Sequence, residues 1–128
     1  MATWDLSKTK HHVLICNGSS CMSNGAEELT QAIRKEIRVR EADEVIHTTR
    51  TRCNGRCHDK SVVIAYPEGR WYKDMKEEEA SSFIGNLLGF ENCTTKVSHS
   101  YVDGVFLIGD GIQKGVEKEK KLVQKVLK

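Results

Sequence analysis

Long apolar runs, a cationic leader, a charge surplus and aromatic-rich basic segments are all missing from this chain. No stretch approaches the ~18 consecutive apolar residues of a membrane-spanning helix, so no membrane partner is expected. The opening residues Met1-Ala2-Thr3-Trp4-Asp5-Leu6 contain no basic segment followed by an apolar one, which argues against a secretory signal and for a cytoplasmic protein. Net charge is only +2, and aromatic residues make up 6% of the chain. Neither a basic footprint nor a basic helix with interleaved aromatics is present, so nucleic acid is not an expected ligand. Proline occurs once, at Pro67. What remains is a 128-residue chain, 38% hydrophobic and 30% charged, sized for a single soluble domain.

Against that background the five cysteines stand out. Four of them fall in two short loops, Cys16-Asn17-Gly18-Ser19-Ser20-Cys21 and Cys53-Asn54-Gly55-Arg56-Cys57. Each loop holds an asparagine and a glycine and lacks bulky apolar residues. In a reducing compartment such a cluster reads as metal-binding or catalytic rather than as a disulfide framework. The loops are separated by one helix and one strand's worth of chain. We read them as one four-thiolate metal centre formed by Cys16, Cys21, Cys53 and Cys57.

The flanking segments explain how the loops would meet. His12-Val13-Leu14-Ile15-Cys16 suits a buried strand that ends at Cys16. Asn24 followed three residues later by Glu27 resembles a capping box. Ala26, Leu29, Ile33 and Ile37 then recur at helical spacing, predicting a helix over Gly25 to Arg38 with Cys21 just before its amino-terminal end. Glu44 to Thr49 is β-branched and reads as a second strand feeding the second loop. A strand–helix–strand unit implies parallel neighbours, which sets both cysteine loops at one sheet edge.

Ser61 to Tyr66 and Arg70 to Tyr72 predict an antiparallel hairpin turning at Pro67-Glu68-Gly69. Asp74 with Glu77 predicts a helix start. Ala80, Phe83, Ile84, Leu87 and Leu88 form its apolar stripe, and Gly89 stops it.

The cysteine spacing C-x4-C…C-x3-C and the hairpin sequence Tyr66-Pro67-Glu68-Gly69…Trp71-Tyr72 resemble the thioredoxin-like 2Fe–2S ferredoxins. The small thioredoxin-like subunit of NADH:quinone oxidoreductase shares the pattern. The resemblance covers roughly residues 12–89. It implies a thioredoxin-like α/β fold, a central mixed sheet flanked by helices. It also implies a 2Fe–2S cluster on Cys16, Cys21, Cys53 and Cys57, and one-electron transfer, often from a homodimer. The partners would be redox proteins, a reductase and an acceptor enzyme. Some stand-alone relatives are associated with cobalamin biosynthesis. The single domain would comprise a core of about 12–89 and an extension of about 90–128.

Chemistry supports that resemblance independently. Each iron of a 2Fe–2S rhomb takes two bridging sulfides and two protein sulfurs, so two close cysteine pairs match two irons. Structural zinc sites more often use C-x2-C pairs, 4Fe–4S clusters a C-x2-C-x2-C run, and dithiol oxidoreductases C-x-x-C opening a helix. A four-cysteine zinc site, or a structural or accessory subunit of a redox complex, is the alternative reading. Arg50, Arg52, Arg56, His58 and Lys60 crowd the second loop, either as a solvated rim or as groups that tune and dock. His11, His12 and His58 read as lying outside the ligand set, and Cys93 as a free thiol. In the extension, Tyr101 to Gly109 is expected to add a strand or cover a sheet edge. Residues 116–128 are expected to form an amphipathic helix, used for packing, dimerisation or partner docking.

Overall fold

The structure, a computed structural model, describes residues 3–91 and 96–120. Cys93 and residues 121–128 of the expected carboxy-terminal helix lie outside the described residues; of its described part, residues 116–119 are not helical, and helix begins only at Lys120. Six strands form one mixed sheet in the order β2-β1-β3-β4-β5-β6. They are β1 (His11–Cys16), β2 (Ile46–Thr51), β3 (Val63–Tyr66), β4 (Arg70–Tyr72), β5 (Val97–Val102) and β6 (Val105–Ile108). Among the described residues three complete α-helices accompany them: α1 (Ser19–Met22), α2 (Ala26–Val39) and α3 (Ala80–Leu87). This is the thioredoxin-like α/β arrangement anticipated above.

The central feature is the parallel β1–β2 pair, whose register sets Cys16 opposite Thr51. Asn17 N–H donates to Thr51 O at 2.7 Å, continuing the pairing one residue past β1. The two strands therefore end together and release their cysteine loops at one edge. Helix α2 connects them, burying Ala26, Leu29, Thr30, Ile33 and Ile37 on a single stripe. Leu29, Ile33 and Ile37 of that stripe join Val13 and Ile15 of β1, Val63 and Ala65 of β3, and Phe83 and Ile84 of α3 in the main core. Residues such as Ile15, Leu29, Ile33 and Ile84 are fully buried. Each contributes about 1.5–3 kcal/mol relative to an exposed side chain.

Several element starts differ from expectation. The cap of α2 is Gly25, at φ +89, and no side chain caps it. Asn24 instead donates its amide to Lys60 O at 3.1 Å, tying the first loop to the second rather than starting the helix. Cys21 sits inside the single-turn helix α1, not immediately before α2. Asp74 takes a positive φ of +46 and begins no helix. The helical segment starts two residues later, where Glu79 Oε1 accepts the Lys76 N–H at 2.9 Å. It runs as a 3-10 turn (Glu77–Glu79) into α3. Strand β2 begins two residues later than the β-branched run suggested, because Ala42 O takes the N–H groups of both Val45 and Ile46.

The extension adds more to the sheet than one strand. Strands β5 and β6 form a hairpin around Asp103 and Gly104, both at positive φ (+49 and +86). This is the two-residue turn whose twist matches antiparallel strands. β5 pairs antiparallel with β4, so the hairpin extends the sheet outward. The side chains of its turn end and of β6 are about half exposed: Tyr101 48%, Phe106 48%, Leu107 52% and Ile108 45%. Cross-strand partners point to the same face. Register thus places Leu14, Ile64, Trp71, His99 and Ile108 on one face, opposite the core that α2 and α3 cover.

Candidate metal centre

Cys16, Cys21, Cys53 and Cys57 all line a single pocket, with Gly18, Asn54, Arg56 and Val62 among the remaining wall residues. The pocket lies where β1 and β2 release their loops. Its two sides differ sharply. Cys16 and Cys21 are 3% and 2% exposed and pack with Ala26, Val62 and Ile64 in a small second core. Cys53 and Cys57 are exposed, with their sulfurs 3.4 Å apart. The site is thus built from one inner and one outer pair of thiols. Among the described residues, no group of three or more His, Cys, Asp or Glu side chains is gathered around a position for one metal ion.

Local backbone brings the loops into contact. A Cβ on Gly18 would stand 2.9 Å from both the Cα and the amide N of Cys53, closer than real Cβ contacts come. Only glycine lets the first loop pass so near the second. Gly55 does different work: its N–H donates to Cys53 Sγ at 3.3 Å, with φ at +78.

Hydrogen bonds and burial sort the thiols electrostatically. Burial pushes the Cys16 thiol up. Donors from the Gly18 backbone, the Cys21 thiol and Asn54 outweigh that push, leaving Cys16 below the usual thiol value. Burial pushes Cys21 up to about 11, and the charges of Cys16 and Cys57 add to the effect. At Cys53 the Gly55 N–H pulls downward, but the neighbouring Cys57 and partial burial raise it on balance. Burial and neighbouring sulfurs disfavour the thiolate at Cys21 and Cys53, a cost that a positive metal centre relieves. The donor set, its two pairs and the glycine cradle fit a 2Fe–2S cluster.

The Asn-Gly dipeptides that follow Cys16 and Cys53 turn out to have unlike roles. Asn17 donates to Ile15 O at 3.1 Å and so holds its own loop. Asn54 donates to Thr51 Oγ1 at 2.7 Å and also reaches the Cys16 sulfur across the site. The Cys-Asn-Gly triplet is common to both loops, so no local sequence signal separates the two asparagines. Arg56 is no rim residue. Its side chain is 15% exposed, and its Nε donates to Asp59 Oδ2 at 2.6 Å. Arg50 does not line the pocket; it pairs with Glu27 and donates to Asn17 Oδ1 of the first loop. Arg52 and His58 are exposed. His11 pairs with Glu68 at 2.8 Å, and His12 bonds Thr49 Oγ1 at 2.7 Å; neither lines the pocket.

Comparison with known proteins agrees with this geometry. The sequence model for the thioredoxin-like 2Fe-2S ferredoxin matches residues 5–88. A 2Fe–2S ferredoxin candidate of Priestia megaterium is 52% identical over 101 residues, covering 79% of this chain and 78% of that protein. The 2Fe–2S ferredoxin of Clostridium pasteurianum is 26% identical over 83 residues, 59% of this chain and 81% of the relative. The solved structure of the thioredoxin-like 2Fe–2S ferredoxin from Aquifex aeolicus superposes with a TM-score of 0.65 at 25% identity. The match covers 72% of this chain and 93% of that one. With the family match spanning both cysteine loops, the chain belongs to the thioredoxin-like 2Fe–2S ferredoxin family, whose members carry a 2Fe–2S cluster and transfer electrons.

Proposed function

We propose that Cys16, Cys21, Cys53 and Cys57 hold the 2Fe–2S cluster, and that the chain carries single electrons from a reductase to a metabolic enzyme. The observation that carries this reading is the convergence of four thiols from two loops, as an inner and an outer pair, on one pocket. When bound, the cluster supplies one-electron redox chemistry. The chain's own residues set the conditions for it. Cys16 and Cys21 are shielded from water, whereas Cys53 and Cys57 bring the other side to the surface, where electrons are exchanged. Backbone donors at Gly18 and Gly55 favour negative charge on the sulfurs and so tune the potential.

The test is anaerobic purification with iron and acid-labile sulfide quantified, and electron paramagnetic resonance before and after dithionite. Two irons and two sulfides per chain, with a signal only on reduction, is the expected result. Zinc in their place would overturn it and leave a structural site of four cysteines. No residue of the pocket is assigned as acid, base or nucleophile, and the protein is read as an electron-transfer protein rather than an enzyme. An accessory subunit of a redox complex is the competing role, and redox silence in the absence of a partner would favour it.

The finer assignments are proposals of the same kind. Cobalamin biosynthesis is the pathway suggested by family resemblance; accumulation of an oxidised corrinoid precursor on gene deletion would support it. The cytoplasm is the proposed compartment; no helix among the described residues is long and apolar enough to cross a membrane. The extension and core are read as one domain, on the strength of the β4–β5 pairing. Two copies are proposed to associate through the sheet face that α2 and α3 leave bare, where Tyr101, Phe106 and Ile108 are about half exposed. Sizing by light scattering, with Phe106→Lys expected to give monomers, tests that association.

A further inference from the structure

The second cysteine loop shares a wall with a polar groove. Arg56 lines the cysteine pocket. Through Nε and Nη2 it also holds Asp59 Oδ2 at 2.6 Å and Gln113 O at 2.7 Å. Asp59 and Gln113 face a separate groove of about 330 Å³, which His58, Lys60, Lys73 and Asp74 also line. The groove therefore begins one residue past Cys57 and is closed on its far side by the extension.

Its charges are unevenly committed. Asp59 is buried and taken by Arg56. Asp74 is taken by Lys76 at 3.1 Å and Lys96 at 3.8 Å. Lys60 and Lys73 make no ion pair with any described residue. Lys60 and Lys73 are thus the groove's uncommitted cations, in a chain whose net charge is only +2. Cations left over once a cleft's carboxylates are paired leave it net positive, which speeds the arrival of negative charge.

We propose that this groove docks carboxylates of an acidic redox partner, holding it against the exposed Cys53–Cys57 side of the site. The proposal rests on the electron-carrier reading and adds to it the chemistry of the partner and the residues that meet it. Distance gives the reason for the placement. Electron tunnelling weakens steeply with separation, so the useful docking site borders the sulfurs that reach the surface. Lys60 and Lys73 act on encounter and orientation, where exposed charges contribute most.

Cytochrome b5, an acidic haem protein, serves as the probe, and basic cytochrome c as its control. The reduced protein, freed of dithionite, passes one electron to the ferric haem, which becomes ferrous; no proton is needed. The second-order rate constant with cytochrome b5 should fall as salt rises from about 20 to about 300 mM. The double variant Lys60→Glu/Lys73→Glu should lose about tenfold of it at low salt and gain rate toward cytochrome c. A change within twofold, or equal changes toward both acceptors, would overturn the proposal.

A second measurement separates its failure from that of the carrier reading. Amide resonances of Lys60, Lys73, Ile112 and Gln113 are followed as cytochrome b5 is added to the protein as purified. Shifts there without electron transfer would keep the groove and sink the carrier. A reducible centre with no shifts there would do the opposite. Inorganic phosphate moving those amides while cytochrome b5 does not would make the groove a small-anion site and overturn the docking proposal.

Discussion

Gly18 and Cys53 press backbone against backbone: a Cβ at Gly18 would lie 2.9 Å from both the Cα and the amide N of Cys53. This one contact joins two loops with 31 residues of chain between Cys21 and Cys53, and neither loop's own sequence encodes it.

Gly18→Ala therefore forces the loops apart. The expected cost is about 1–3 kcal/mol of stability, the usual range for overpacking a tight site. Iron retained per chain should fall with it. Thermal unfolding and iron quantification on the same samples check this. Wild-type values for both would mean that the loops meet more loosely than the geometry indicates.

The inner and outer cysteines should fail differently. Cys21→Ala and Cys57→Ala each remove a proposed ligand, so both should purify with depleted iron. Only Cys21→Ala also removes a buried side chain from the Ala26–Val62–Ile64 core. After chelation it should be less stable than the equally chelated wild type by roughly 1 kcal/mol, while Cys57→Ala should match wild type. Equal unfolding midpoints for all three chelated proteins would contradict the difference in burial.

His12 gives a pH dependence away from the cysteines. Burial disfavours its charged ring, and His47, whose ring centroid is 5.5 Å away, adds to the effect; the pKa falls below the ordinary 6.5. Between the folded value and 6.5, the unfolded chain binds more protons than the folded one. Stability thus rises with pH through that window, is complete above 6.5, and is lost as pH falls through the folded value. Unfolding midpoints from about pH 5 to about pH 7.5 should slope less in His12→Gln than in wild type. Parallel curves would show that His12 contributes nothing.

Arg56→Ala should leave Asp59, a carboxylate 4% exposed at its side chain, without its cation. Breaking one side of such a pair is expected to cost on the order of 2 kcal/mol, and Asp59→Asn should recover part of that loss in the double variant. Denaturant unfolding of the four proteins in the cycle provides the measurement. Additive effects would mean that the two side chains act independently.

What the sequence disclosed follows the range of the forces involved. The cysteine pairs, the parallel strands that deliver them and the Pro67–Gly69 hairpin depend on local pattern, and the spacing carried them. The missed features depend on distant partners. Asn24 and Glu27 have the form of a capping box, yet Lys60 O claims the Asn24 amide and Gly25 takes over as cap. Arg56 sits in a run of exposed cations but is drawn inward by Asp59 and by Gln113, 57 residues away. The hairpin of the extension was within reach: Asp103-Gly104 between Val102 and Val105 is the strongest short-range sign of a two-residue turn. The expectation for Tyr101 to Gly109, a strand or the cover of a sheet edge, passes over that turn.

Strand β6 ends the sheet, and all four of its residues, Val105-Phe106-Leu107-Ile108, are exposed and uncharged. Among the described residues no strand lies beyond it, so its outer amides and carbonyls offer a template to any extended chain that arrives. Asp103 and Asp110 flank the run, the kind of charged residue that keeps such edges from stacking. Neutralising those two aspartates should consequently raise the tendency of copies to add to one another at this margin in concentrated solution.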